Sequence, residues 1–177
     1  MKYFRCCRTG IDVGSFIDEL AIFEGGWSDK RAKAIPLHRE TLAIALRSAV
    51  LNPGEDIKEC ELDTQTENYK KFPKLTNFLE KFAEDINGLL SRINIVSLKS
   101  GGKVYPHIDG GTYYKNRDRY HLILQSTKGS LMRSGDEECI WHEGEVLWFD
   151  NKAMHEAYNE SNETERIHVI FDIKPKL

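Results

Sequence analysis

Only four of the 177 residues are cysteine and only five are proline. Cys6, Cys7, Cys60 and Cys139 form no Cys-x-x-Cys pair or other metal spacing, and an adjacent pair near the start is a poor disulfide framework for a chain of this length. All four read as reduced thiols. An excess of one charge is missing too: 25 Lys and Arg stand against 28 Asp and Glu, a formal charge of -3, with neither sign gathered in one half. That balance excludes the footprint of a dedicated nucleic-acid binder. The longest nearly apolar stretch, TLAIALRSAVL, is broken by Arg47 and is too short to span a bilayer. The basic start MKYFRCCRTGIDVG leads into no apolar signal core. A cytoplasmic protein with no membrane partner is expected. No period of 20 to 50 residues recurs, which sets aside solenoids and propellers.

What is present suits one folded domain over 1–177. Hydrophobic residues make up 40% of the chain, and 8 Phe, 7 Tyr and 3 Trp provide enough apolar surface to offset the entropy of ordering. From Phe72 to Leu90 the apolar positions 72, 75, 78, 79, 82, 86, 89 and 90 keep helical spacing, with Pro73 in the first turn. A weaker helical pattern covers Ser15 to Phe23, and Ala34 to Val50 reads as one or two strands. After Ser91 short apolar runs alternate with Gly, Asn and Asp: INIVSL, YHLILQS, SLMRS, CIWHE, EVLWFD, HEAYN and RIHVIFDI. Seven such runs predict an antiparallel sandwich or barrel over 91–177, with 1–90 supplying flanking helices and strands. Five of the six histidines fall in this second part.

The chemistry concentrates in YPHIDGG. Residues two apart in an extended segment point the same way, so His107 and Asp109 present an imidazole and a carboxylate to one point, and Gly110 and Gly111 let the chain turn sharply. Alone, the pair also fits a loop turn or a simple hydrogen bond. A third histidine, His155, opens a later strand. Two histidines and one carboxylate on one face of an ion are the facial triad of non-haem Fe(II) oxygenases. Arg166, at the start of the last strand, suits a dicarboxylate cosubstrate, because its planar fork gives two parallel hydrogen bonds. The plainer reading pairs it with Glu163 or Glu165 at the surface. Arg119 and His121 alternate with Tyr120 and point inward from one strand, unless they are a strand-edge charge and a core histidine. Asp150 or Asn151 is placed to orient a ligand histidine, Trp148 reads as core, His168 shares the parity of Arg166, and His142 is spare.

The order YPHID, RYHL, EGEVLWFDN, MHEAYN and ERIHVIFDI over about 97–172 resembles the aspartyl/asparaginyl beta-hydroxylase family of Fe(II)- and 2-oxoglutarate-dependent dioxygenases. IPLHRETLAIALRS resembles its N-terminal strand region more loosely. The resemblance implies that His107 and His155 bind iron, that Arg166 binds the distal carboxylate of 2-oxoglutarate, and that Arg119 and His121 form the RxH element near the cosubstrate. Asp109 completes the triad, a carboxylate that the animal enzymes lack and many small bacterial relatives keep. A cosubstrate-binding serine of the animal enzymes falls near Val96 or Ser97.

The expected fold is mainly β, a double-stranded β-helix (jelly roll, cupin-like) with one or two flanking helices in the N-terminal half and the metal in the mouth between the sheets. The implied activity is Fe(II)-, O2- and 2-oxoglutarate-dependent hydroxylation of an unactivated carbon, with ascorbate as a supporting reductant. The implied substrate is the β-carbon of an Asp or Asn residue, a free amino acid or a small peptide. Two alternatives stay open. A cupin-like metal protein with non-oxygenase chemistry has no need of Arg166, and the cupins' His-x-His cluster is absent. A non-catalytic binding module needs no intact triad.

Overall fold

The computed structural model describes residues 1–176, and its architecture follows from how polar and apolar residues alternate along the strands. The strands are β1 (Phe4–Arg8), β2 (Thr41–Ala49), β3 (Asp63–Gln65), β4 (Gly88–Leu98), β5 (Lys103–His107), β6 (Asp118–Gln125), β7 (Ser130–Ser134), β8 (Glu137–Ile140), β9 (Val146–Phe149), β10 (His155–Asn159) and β11 (Arg166–Pro175). The helices are α1 (Gly14–Ala21), α2 (Lys30–Ala34), α3 (Pro73–Asp85) and α4 (Thr112–Lys115), with 3-10 turns at Pro36–His38 and Tyr69–Lys71.

The strands form two antiparallel sheets, a large one in the order β1-β9-β6-β11-β4-β2-β3 and a small one in the order β5-β10-β7-β8. From β4 onward the chain alternates between them, with β4, β6, β9 and β11 in the large sheet and β5, β7, β8 and β10 in the small one. This is the jelly roll. The first three strands extend the large sheet, β1 beside β9 and β2 with β3 beside β4.

Central strands of the large sheet are buried on both faces, so strict apolar alternation gives way to two different buried sets. Outward residues such as Ile93, Ile95, Leu122, Leu124, Val169 and Phe171 pack under α1 and α3 in one core. Phe82 of α3 lies edge-on to Tyr120 and Phe171 at 5.6 and 5.7 Å. Between the sheets a smaller core holds Ile123, Met132, Trp141, Leu147 and Phe149. Five other inward positions of β6 and β11, Arg119, His121, Arg166, His168 and Asp172, are polar and buried. An interior that carries this much polarity marks a site.

The long helix is shorter than its spacing predicts. It stops at Asp85 because Asn87 takes a left-handed conformation, φ 53°, which asparagine tolerates better than most residues. Gly88 to Leu90 then open β4. The weaker pattern at 15–23 is α1, and within 34–50 the strand occupies only Thr41–Ala49, preceded by the 3-10 turn. Helix α3 begins with no cap from its own flank; instead the backbone N–H groups of Lys74 and Leu75 donate to the two carboxylate oxygens of Glu19 on α1, at 2.7 and 3.1 Å. Glu19 is buried, so Glu19→Ala leaves two helix donors unsatisfied. It is expected to cost about 1–3 kcal/mol, read as a lower urea midpoint; an unchanged midpoint would show that the cap contributes nothing.

Candidate metal centre

Strands β5 and β10 are neighbours in the small sheet, and their register sets His107 directly opposite His155. The two rings lie 4.2 Å apart, centre to centre. Just past β5 the backbone N–H of Asp109 donates to the carbonyl of Asn151 at 2.9 Å, which draws the carboxylate in beside them. The chain can turn there because Gly111 has φ +99°, and a Cβ at that position would stand 2.5 Å from the Lys58 carbonyl oxygen. Gly110 meets no such constraint. His107, Asp109 and His155 each offer a ligand atom, all within 4.8 Å of one another.

Each candidate ligand is oriented by a partner. Nδ1 of His107 lies 2.7 Å from the Tyr105 carbonyl, and Nδ1 of His155 lies 3.0 Å from that of Ala153. A carbonyl only accepts, so Nδ1 carries the proton on both rings and Nε2 offers its lone pair to the metal point. Burial lowers the pKa of both histidines, that of His155 to about 4, which keeps both rings neutral near pH 7. The Asp109 carboxylate divides its oxygens. Oδ2 accepts from Arg119 Nη1 at 2.8 Å and Asn151 Nδ2 at 3.1 Å, while Oδ1 sits 3.8 Å from His107 Nε2. Burial alone would raise the Asp109 pKa, but Arg119, then His155 and Asn151, outweigh it, and the net shift is downward. A neutral–neutral–anionic set of hard oxygen and imidazole donors, open on one side, fits a divalent non-haem metal.

Arg119 is the hub behind the ligands. Its Nε and Nη2 hold Asp172 at 2.8 and 3.0 Å, Nη1 holds Asp109, and Nη2 also donates to the Tyr114 hydroxyl at 3.1 Å. Tyr113 donates to Asp172 at 3.0 Å. Deeper between the sheets, a narrow cavity is lined by His107, His155, His121, His168 and Arg166, with apolar walls that include Val96, Met132 and Phe149. Arg166 is buried, and among the described residues its one side-chain hydrogen bond goes to the Tyr158 carbonyl at 3.3 Å. Among the described residues no carboxylate lies within 4.0 Å of it, so the surface pairing with Glu163 or Glu165 does not form. Burial lowers its pKa to about 10, still far above neutral pH. The Nδ1 atoms of His121 and His168 are 3.3 Å apart, and Nε2 of His168 has no partner.

Several expectations shift. Asn151 orients the Asp109 carboxylate rather than a histidine of the cluster. Asp150 instead accepts from the Lys152 backbone N–H in a turn, and backbone carbonyls do the work on the histidines. Ser97 turns away from the cavity and donates to Glu165 at 2.7 Å, whereas Val96 lines it. Trp148 packs against the outer core, and His142 is exposed. Sequence reasoning passed over Arg31, His38, Tyr113, Tyr114 and Asp172. Of these only Asp172 left a trace, as an acid at an inward position of an otherwise apolar run.

The family model of aspartyl/asparaginyl beta-hydroxylase matches residues 59–175. The aspartyl/asparaginyl beta-hydroxylases of Mus musculus and Homo sapiens are each 30% identical over 108 residues, 61% of this chain. The chain spans only 14% of the length of those relatives. Among solved structures, the viral collagen prolyl hydroxylase of Paramecium Bursaria Chlorella virus-1, as a 2OG complex, superposes with a TM-score of 0.56 at 12% identity, covering 99% of this chain and 97% of that one. HygX from Streptomyces hygroscopicus, with nickel and 2-oxoglutarate bound, gives 0.56 at 13% identity, covering 98% and 83%. A 2OG-Fe(II) oxygenase family oxidoreductase from Burkholderia pseudomallei gives 0.56 at 13% identity, covering 96% and 92%. At such identities these likenesses establish the jelly-roll fold. No helix among the described residues is long and apolar enough to cross a membrane.

Proposed function

Because the chain belongs to the aspartyl/asparaginyl beta-hydroxylase family, we propose that it is an Fe(II)- and 2-oxoglutarate-dependent hydroxylase. In this reading 1–177 act as one dioxygenase domain, His107, Asp109 and His155 hold the metal, and Arg166 anchors the distal carboxylate of the cosubstrate. One observation carries it: two members of the three-residue cluster, His107 and His155, line the same narrow cavity as a buried guanidinium, that of Arg166, with no carboxylate in contact among the described residues. A buried cation without a counter-ion is costly, and the distal carboxylate of a dicarboxylate cosubstrate would relieve that cost. A cupin-like protein with other chemistry has no use for such a guanidinium.

When bound, Fe(II) supplies the chemistry by which O2 and 2-oxoglutarate give succinate and CO2 and one oxygen atom enters a C–H bond of the substrate. The chain's residues prepare the place. His107 and His155 would offer Nε2 and Asp109 Oδ1, and the two cavities beside this cluster give cosubstrate and O2 room to reach it. Arg119 and Asn151 hold the other oxygen of Asp109 and keep the carboxylate ionised. Arg119 spends most of its donors on Asp109, Asp172 and Tyr114, so its part near the cosubstrate is to fix a ligand, with one Nη1 N–H to spare. His121 and His168, kept neutral first by burial, line the cavity beside Arg166, and His168 has a free nitrogen for the same carboxylate. The apolar walls keep water from competing for these groups. The substrate is the β-carbon of an Asp or Asn residue, a free amino acid or a small peptide.

Arg166→Met tests the anchor. With saturating Fe(II) and ascorbate, the KM for 2-oxoglutarate in succinate formation is expected to rise about 30- to 100-fold, the value of a charge-assisted bidentate pair. An unchanged KM would remove Arg166 from the cosubstrate site.

A further inference from the structure

If the cosubstrate fills the narrow cavity, the molecule to be hydroxylated must reach the metal by another way. A second, wider cavity of about 420 Å³ opens on the same centre, and it shares Arg31, His38, His107 and Arg119 with the first. That volume suits an amino acid or a single peptide side chain with its flanking amides. The lining is cationic: Lys30, Arg31, Arg47, Lys58, Arg92 and Arg119 face it, against Asp109 and Asp172.

Most of these cations already have an occupation. Arg119 bridges Asp109 and Asp172, and Arg47 pairs with Asp63 at 2.6 Å. Nη2 of Arg92 donates to the carbonyls of Ile57 and Cys60. Lys30 and Lys58 are exposed to water. Arg31, on the short helix α2, differs from all of them. It is half-buried, no carboxylate among the described residues lies within 4.0 Å, and its one polar contact is a neutral acceptor, Nε2 of His38 at 3.1 Å. His38 is itself buried and stands edge-on to the ligand His107, ring centres 5.4 Å apart. Arg31 therefore sits where the two cavities join, one imidazole away from His107, with no carboxylate among the described residues in contact with it.

We propose that Arg31 is the receptor for a carboxylate on the substrate and that this contact fixes which carbon is presented to the metal. The inference rests on the hydroxylase reading above and names the substrate class for it: a small carboxylic acid or an acidic side chain. The free edge of a guanidinium gives two parallel hydrogen bonds to one carboxylate. A phosphate dianion beside Asp109 and Asp172 would need a second free cation, and the other cations of the cavity are paired, bound to backbone or in water. Held at Arg31, the substrate would lose its freedom to turn and present a single C–H to the cluster of His107, Asp109 and His155.

The test is calorimetric titration of the full chain, loaded with Zn(II), in the presence and absence of 2-oxoglutarate. The probes are N-acetyl-L-aspartate N-methylamide, with only a side-chain carboxylate, N-acetyl-L-alanine, with only an α-carboxylate, and N-acetyl-L-asparagine N-methylamide, with none. At least one carboxylate probe is expected to bind about tenfold or more tighter than the asparagine probe, and the tighter of the two identifies the source of the carboxylate. Arg31→Met is expected to erase that preference and Arg31→Lys to restore part of it. Equal binding of all three probes to the wild type, or a preference that survives Arg31→Met, would overturn the proposal. So would a loss of 2-oxoglutarate affinity as large as the loss of probe affinity in Arg31→Met, which would make Arg31 a cosubstrate residue. Failure of the wild type to bind 2-oxoglutarate would sink the hydroxylase reading instead, and the titration without cosubstrate would still read the carboxylate preference.

Discussion

Replacing His107 with alanine is expected to lower succinate formation at least about a thousandfold, a barrier increase of ~4 kcal/mol. His107 and His155 are held opposite each other by the pairing of β5 and β10, and each has its Nδ1 fixed on a backbone carbonyl. The loss is local, because the strand register does not depend on the imidazole. Two ligands remain, one imidazole and one carboxylate, and the carboxylate is half committed to Arg119 and Asn151. Two ligands seldom retain a catalytic ion. Succinate is measured by mass spectrometry at saturating Fe(II), with His142→Ala as the comparison, since His142 is exposed and outside the site. His142→Ala is expected to stay within about twofold of the wild type, as isolated surface changes do. A His107→Ala protein that keeps a tenth of the rate would exclude His107 as a ligand.

Arg119→Met is expected to have the largest effect on stability. The side chains of Arg119, Asp109 and Asp172 are 11%, 9% and 2% exposed, so removing the guanidinium leaves two carboxylates buried without their cation. Breaking a buried pair from one side costs about 3–5 kcal/mol, read from urea unfolding of the metal-free protein at pH 7. The pH dependence gives a second reading. In the wild type the Asp109 pKa is depressed, so the carboxylate stabilises the fold above its ordinary value of about 3.9 and loses that contribution as pH falls through the folded-state pKa. Without Arg119 burial dominates, and the shift turns upward. The variant is then penalised most at neutral pH and recovers on acidification as Asp109 takes up a proton. The stability gap should narrow between pH 7 and pH 5. A constant gap would show that Arg119 acts through packing alone.

Much of this arrangement was legible in the residues, for reasons that can be named. Ser130–Ser134 and His155–Asn159 are strands with the bounds of their apolar runs, because turn residues flank both. The grouping of His107, Asp109 and His155 was readable since two of them sit two residues apart in an extended segment and the third opens a strand. Pairing of β5 with β10 supplies what spacing could not, the register that sets His155 against His107. The end of the long helix was overshot because Leu89 and Leu90 continue the helical period, and only the backbone of Asn87 breaks it. Strand β1 went unread because FRCCR is short, lies at a sheet edge and has little apolar alternation. Arg119 reaches Asp172 across the β6–β11 pairing, 53 residues along the chain, a partnership that no local pattern announces. Arg31 was silent for a similar reason: nothing local in KRAKA sets its guanidinium apart, and only the packing of α2 against β2 and the 3-10 turn brings it to His38 beside the cluster.

The central claim is that one cavity holds both a metal and a dicarboxylate, and calorimetric titration of 2-oxoglutarate into the wild-type chain tests it most directly. With Mn(II) or Zn(II) in place, binding is expected to saturate at one 2-oxoglutarate per chain. After EDTA treatment the affinity is expected to fall at least about tenfold, since the ligand keeps Arg166 and loses the metal. No binding to the metal-loaded chain, or the same affinity with and without metal, would contradict the account.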